Sequence, residues 1–213
     1  MKMLQLALLV LLAVAARVDG QTNAVPVTET ARPAVETLIC IRHGEKPPGG
    51  LGQLTCRGLN RSLALPKVLL GKYGRPQFIF APNPAQKADT KTDPAGYYYL
   101  RPLATIEPTA IRCGLPVNTQ FGFREIKSLE NELQKPAYRS ATIFIAWEHS
   151  LLDAFAKNLA QDNGGDAAQI PAWAGEEYDL IFVFKITTEN GRRSISFTQD
   201  HEGLNGLSDD CPQ

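Results

Sequence analysis

The stretch TLICIRHGEKP, residues Thr37 to Pro47, changes character abruptly at its middle. Leu38, Ile39, Cys40 and Ile41 are consecutive apolar residues, a run of strand length that can pass through a core. The chain then turns at once to Arg42, His43, Gly44 and Glu45. A cation, an imidazole, a glycine and a carboxylate at the end of a buried strand call for a reason. In open α/β sheets ligands bind at the carboxyl ends of the strands, and that is where these four residues stand.

Further apolar runs of strand length recur along the chain. The pattern predicts strands at Thr37–Arg42, Gln77–Ala81, Val117–Thr119, Ala141–Trp147, Asp179–Thr187 and Ser194–Gln199. Helical patterns lie between them at Cys56–Lys72, Leu100–Arg112, Ile126–Gln134 and Leu151–Gln161. Strand and helix in alternation predict an α/β domain with a mainly parallel sheet. The last two strands are separated only by TENGR, so Asn190-Gly191 predicts a hairpin turn and an antiparallel edge. Thr55 and Ser150 read as helix caps. Pro66 and Pro108 are expected to kink or shorten their helices. Ala81 to Tyr99 reads as a long polar loop, and the tail from Asp200 as irregular surface.

The chain has 213 residues, with 22 basic and 22 acidic side chains. That length suits one domain, and the charge balance gives no reason to expect nucleic acid or an anionic membrane as partner. Lys2, the apolar run Leu4 to Ala16 and the small residues up to Gly20 read as a secretory signal peptide over residues 1–20, cut after Ala16 or after Gly20; the rival is an uncleaved anchor. Residues 21–34 read as a flexible leader and 35–213 as the folded domain, secreted or periplasmic, with no stable membrane insertion after cleavage. In an oxidising compartment the four cysteines can pair in three ways. Cys56 and Cys211 are the better bridge candidates, and Cys40 reads as a buried thiol. No CxxC pair occurs, which argues against a zinc site or a dithiol redox motif.

Two of the three histidines, His43 and His149, stand at carboxyl ends of strands, the second beside Glu148. IRHGEKP resembles the signature of the histidine phosphatase superfamily, the phosphoglycerate-mutase-like branch. The likeness continues in order. LTCRGLNRSLAL, from Leu54, is similar to a helix start with Leu, Thr, Gly and Gln, and here Arg61 stands in place of the usual Gln. YYYLRPLATIEPTA, from Tyr97, resembles a Ser-x-x-x-Arg-x-x-x-Thr stretch, with Arg101 and Thr105 matching and Tyr97 in place of Ser. GLPVNTQFGFREI, from Gly114, resembles the segment that carries the proton donor, and FIAWEHSLLDAF, from Phe144, the second-histidine motif, with Ser150 where Gly is common. The resemblance implies a three-layer α/β/α sandwich and a phosphomonoester hydrolase that uses no cofactor and no metal.

The implied chemistry is sound on its own terms. A neutral imidazole can take a phosphoryl group, splitting one hard displacement into two easier ones. The rest is positioning and charge stabilisation, for which arginine forks are suited. The resemblance makes His43 the nucleophile, Arg42 and Arg101 the phosphate clamp, and His149 a further donor. Glu125 is the first choice for protonating the leaving oxygen, with Glu45 and Glu148 as rivals. Arg57 and Arg61, four residues apart, could also reach phosphate or simply face solvent. A mutase is disfavoured because an exported protein lacks a supply of phosphorylated cofactor. The alternative to an enzyme is a module on the same fold that binds phosphate or a phosphorylated ligand with little or no turnover.

Overall fold

Strand β1, Ala34–Arg42, runs through the middle of a five-stranded sheet. The computed structural model describes residues 32–49, 52–89 and 95–213. The expected signal peptide and the leader up to residue 31 lie outside the described residues. After β1 come α1 (Cys56–Tyr73), β2 (Phe78–Phe80), a small hairpin of β3 (Lys87–Ala88) and β4 (Tyr97–Tyr98), α2 (Arg101–Cys113) and α3 (Ile126–Leu133). Then follow β5 (Thr142–Trp147), α4 (His149–Asp162), β6 (Leu180–Glu189) and β7 (Arg192–His201).

The order across the sheet is β2-β5-β1-β6-β7. β1 and β2 both run parallel to β5, while β6 is antiparallel to both β1 and β7. Four strands therefore point one way and β6 alone the other, so the sheet is mainly parallel with an antiparallel hairpin at its edge. At that hairpin Glu189 pairs with Arg192 across Asn190 and Gly191, whose φ values of 49° and 76° are those of a two-residue primed turn.

Side chains alternate across a strand, and β1 shows the result. Leu38 and Cys40 pack with Leu129 and Leu133 of α3 and Phe155 and Leu159 of α4. Ile39 and Ile41 pack on the other face with Leu65 and Leu69 of α1 and Ile106 and Ala110 of α2. Both faces of the sheet are thus covered, which makes three layers. Burying an aliphatic side chain of this size contributes roughly 2 kcal/mol, and β1 does so on both faces.

Several sequence expectations shift. The strand expected at Val117–Thr119 shrinks to a single bridge between Phe80 and Asn118. The long loop after β2 contains the β3–β4 hairpin. Neither Pro66 nor Pro108 ends its helix. Thr55 does cap α1, accepting from Gly58 N. Ser150 does not cap α4: Glu148 does, its carboxylate accepting from Leu151 N, while Ser150 donates its hydroxyl to the same carboxylate. Glu148 has the extended backbone of a cap, whereas Ser150 is already the second residue of the helix, so the path of the backbone places the carboxylate and not the hydroxyl at the cap. Cys56 is joined to Cys211, and Cys40 and Cys113 are free and buried. Among the described residues no helix is long and apolar enough to cross a membrane.

Candidate active site

Parallel pairing of β1 with β5 sets Arg42 opposite Trp147, and His43 N donates to Trp147 O at 3.1 Å. The residues that follow each strand, His43 and Glu148-His149, therefore emerge side by side at the same edge of the sheet. His43 is only 2 % exposed. Its Nδ1 lies 2.7 Å from the carbonyl oxygen of Gly44. A carbonyl can only accept, so Nδ1 carries the proton and the lone pair sits on Nε2. Burial, reinforced by the nearby charge of Arg101, pushes the imidazole down to about 3. His43 is thus a neutral base of one defined tautomer.

Gly44 is held by Thr105 on α2: its N–H donates to Thr105 Oγ1 at 2.8 Å, and that hydroxyl donates to Arg101 O. A Cβ on Gly44 would meet Gly58 O at 3.0 Å. A side chain there would crowd the backbone of α1, which gives the glycine a packing role beyond any approach to phosphate.

Both candidate clamp arginines are buried, and both lie against aromatic rings. The Arg42 guanidinium carbon is 3.9 Å from the centre of the Tyr178 ring, and its Nη1 donates to the carbonyls of Gly175 and Glu177 at 2.6 and 3.0 Å. Arg101 opens α2, and its guanidinium carbon lies 4.5 Å from the Tyr99 ring. Tyr99 in turn is 6.0 Å from the His43 ring, edge on. Tyr178 lies 6.3 Å from the same imidazole. The segment bearing Tyr178 is itself anchored: Trp173 is buried against Phe182, donates its backbone N–H to the Asp153 carboxylate and donates its indole N–H to Glu177 O.

Glu148 belongs to this group by electrostatics, since its charge acts on Arg42, His43 and Tyr99. Burial alone would raise its carboxyl, but bonds from His149, Ser150 and Leu151 N outweigh that and hold it down at about 2. His149 Nδ1 is 2.6 Å from Glu148 Oε1. Glu125 is held by a different set of contacts. It is exposed, precedes α3, and accepts from Gly122 N at 2.6 Å and Gln86 Nε2 at 3.1 Å. Two residues before it, Phe123 packs on Tyr99 and takes the indole N–H of Trp147 on its carbonyl.

Arg57 faces outward in an ion pair with Asp209 at 2.9 Å. Arg61 points the other way, fully buried, with Glu45, Asp179 and Glu202 around it. The tail is therefore not plain surface: Glu202 is buried, and the chain beyond it lies along the first turn of α1. Sequence reasoning missed Tyr178 and the Gly175 and Glu177 carbonyls. Tyr178 lies in a segment without periodicity, and a backbone carbonyl leaves no mark in a sequence. Among the described residues no group of three or more His, Cys, Asp or Glu could hold a metal.

The chain has the histidine phosphatase fold in its phosphoglycerate-mutase-like form. A candidate phosphohistidine phosphatase, SixA, from Nakamurella multipartitia superposes with a TM-score of 0.52 at 14 % identity, covering 78 % of this chain and 96 % of its own. A candidate alpha-ribazole-5'-P phosphatase from Escherichia coli gives 0.50 at 13 %, with 78 % and 96 % covered. A mycobacterial glucosyl-3-phosphoglycerate phosphatase gives 0.50 at 15 %, with 78 % and 97 % covered. No protein-family profile matches the chain, and no curated protein matches it by sequence.

Proposed function

We propose that the chain is a metal-independent phosphomonoester hydrolase that works through a phosphohistidine on His43. The observation that carries this reading is the state of that imidazole. It is neutral, its Nδ1–H is committed to the Gly44 carbonyl, and its Nε2 lone pair is left for attack beside two buried arginines. In the first step Nε2 bonds to phosphorus and the bond from phosphorus to the leaving oxygen breaks, with that oxygen taking a proton. In the second step water attacks phosphorus, the P–N bond breaks and inorganic phosphate departs. Arg42 and Arg101 stabilise the charge on the equatorial oxygens, and His149 adds a donor from the start of α4.

The proton donor is Glu125. Glu148 is held as the carboxylate by His149, Ser150 and Leu151, and Glu45 is gripped by the Arg61 fork. Glu125 accepts from two neutral donors, Gly122 N and Gln86 Nε2, and stands in the segment expected to carry the donor. The substrate class is a small phosphorylated molecule, in keeping with the phosphatases of like fold. Export is part of the same proposal, and the Cys56–Cys211 bridge supports it, since such bonds persist in oxidising compartments.

One observation favours the binding-module reading. Arg42 already spends Nη1 on two carbonyls, and His43 is nearly closed off. Hydrolysis of a phosphomonoester panel in EDTA, with wild type beside His43→Ala, decides between them. Turnover that survives EDTA and vanishes in a folded His43→Ala protein is the expected result. A folded wild type that binds phosphate without turnover means the module, and activity unchanged in the variant refutes the site.

A further inference from the structure

We propose that Arg61 is a positioning residue for the loop that carries His43, and that the carboxy-terminal segment 202–211 holds it in place. The kinetic part of this proposal rests on the phosphatase reading. Arg61 stands where the resemblance leads one to expect glutamine, and it lies in α1 with no solvent exposure. Its fork grips Glu45, two residues beyond His43: Nη2 donates to Oε1 at 2.7 Å, and Nε lies 3.2 and 3.0 Å from Oε1 and Oε2. The Glu45 carbonyl is held as well, accepting from Thr55 N at 2.9 Å. Glu45 is thus fixed through both side chain and backbone. Gly44, which sets the His43 tautomer through its carbonyl, sits directly between the two.

The other side of Arg61 faces the tail. Its Nη1 bonds to Glu202 Oε2 and reaches Asp179 Oδ1 at 3.4 Å, and Nη2 reaches Asn205 Oδ1 at 3.3 Å. Asp179 accepts from Gly203 N and Leu204 N at 3.1 and 2.7 Å, and Glu202 N donates to Asp179 O. Beyond that, Asn60 donates to the carbonyls of Ser208 and Asp210, Arg57 pairs with Asp209, and Cys211 is bonded to Cys56. The tail therefore closes over the first turns of α1, and Arg61 links it to the histidine loop.

Stability alone does not account for this arrangement. Buried ion pairs recover their desolvation cost only with excellent geometry, and apolar replacements are often neutral or stabilising. Here one cation draws three acidic side chains from three separate parts of the chain to a point two residues from the nucleophile. Such an arrangement acts by setting geometry, and geometry is what a phosphoryl transfer needs.

The test is Arg61→Lys, which keeps the charge and loses the fork, beside Glu202→Gln, which loosens only the tail side. Each is checked for fold by circular dichroism and thermal melting. Two readouts follow: hydrolysis of para-nitrophenyl phosphate, and nitrogen NMR of the His43 imidazole. We expect folded Arg61→Lys to lose about 100-fold in kcat with KM little changed, and its His43 ring to show mixed tautomers. Glu202→Gln should move both readouts in the same direction by less. A lowered melting temperature with kcat and tautomer unchanged overturns the proposal and makes the cluster purely structural. If no form of the protein, wild type included, turns over a phosphomonoester, the phosphatase reading falls. The tautomer then decides the role of Arg61: mixed in the variant supports it, and unchanged overturns it. Should Arg61→Lys fail to fold, Glu202→Gln is judged by the same two readouts.

Discussion

Removing the bridge between Cys56 and Cys211 should cost this fold several kcal/mol, and the structure allows the size to be worked out. The bridge joins the first residue of α1 to the third residue from the chain end, a separation of 155 residues. It therefore restrains almost the whole folded domain when the chain is unfolded. Loop-closure entropy for a ring of that length amounts to about 5 kcal/mol at 25 °C, and measured losses for native bridges run from about 2 to 5 kcal/mol. The tail is also held by the Arg61 cluster and by Asn60, so the folded state of a Cys56→Ser, Cys211→Ser protein should keep its shape. The loss should then appear mainly as a cheaper unfolded state. At about 2–4 °C per kcal/mol for a chain of this size, the melting temperature should fall by roughly 10 °C. The assay is guanidinium unfolding of wild type and the double serine protein, each with and without reductant. Reduced wild type should match the double variant, and reductant should leave the variant unchanged. A thiol titration in denaturant should find two reactive thiols in oxidised wild type, from Cys40 and Cys113. A loss below about 1 kcal/mol, or four thiols in the untreated protein, would refute the reasoning.

Other consequences follow from single contacts. A Cβ on Gly58 would lie 2.6 Å from Glu45 O and 2.9 Å from Glu45 N, both backbone atoms of the histidine loop. Gly58→Ala should therefore cost about 1–3 kcal/mol through overpacking and lower kcat, as thermal melting and turnover would show; wild-type values in both would mean that the loop yields freely. Burial raises the Glu202 carboxyl to about 8, against 4.5 for the free group. The folded state then holds a proton that the unfolded state gives up, so this contribution is full below about pH 4.5 and is lost as pH rises through about 8. Glu36, raised to about 7 by burial, acts in the same direction. Urea titrations from pH 5 to pH 9 should show declining stability in wild type and a shallower decline in Glu202→Gln. An equal slope in both would place the effect elsewhere.

The parts legible in the sequence are those set by neighbours along the chain. The apolar run from Leu38 to Ile41 and its abrupt polar end located β1 and His43, because strand burial and the point of exit from a sheet are local patterns. The Asn190-Gly191 hairpin was legible for the same reason, since positive φ at two adjacent positions selects those residue types. The cap of α4 was misplaced by two residues because Glu148 and Ser150 are both competent acceptors, and only the path of the backbone decides between them. Val117–Thr119 has the composition of a strand but finds one bridge, because pairing depends on what lies alongside.

Most of the succession of strands and helices, the residues delivered to the carboxyl edge of the sheet and the cysteines best placed to pair can be read along the chain. Their chemical state is set by the folded structure. Asp179 and Glu202 are 118 and 141 residues from Arg61 along the chain, and Gly175 and Glu177 reach Arg42 through carbonyls that every residue possesses. Which nitrogen of His43 holds the proton, which carboxylates stay ionised and which arginine faces solvent all depend on burial and on atoms distant in sequence. Desolvation and electrostatic pairing act through space, and neither is written in the order of the residues.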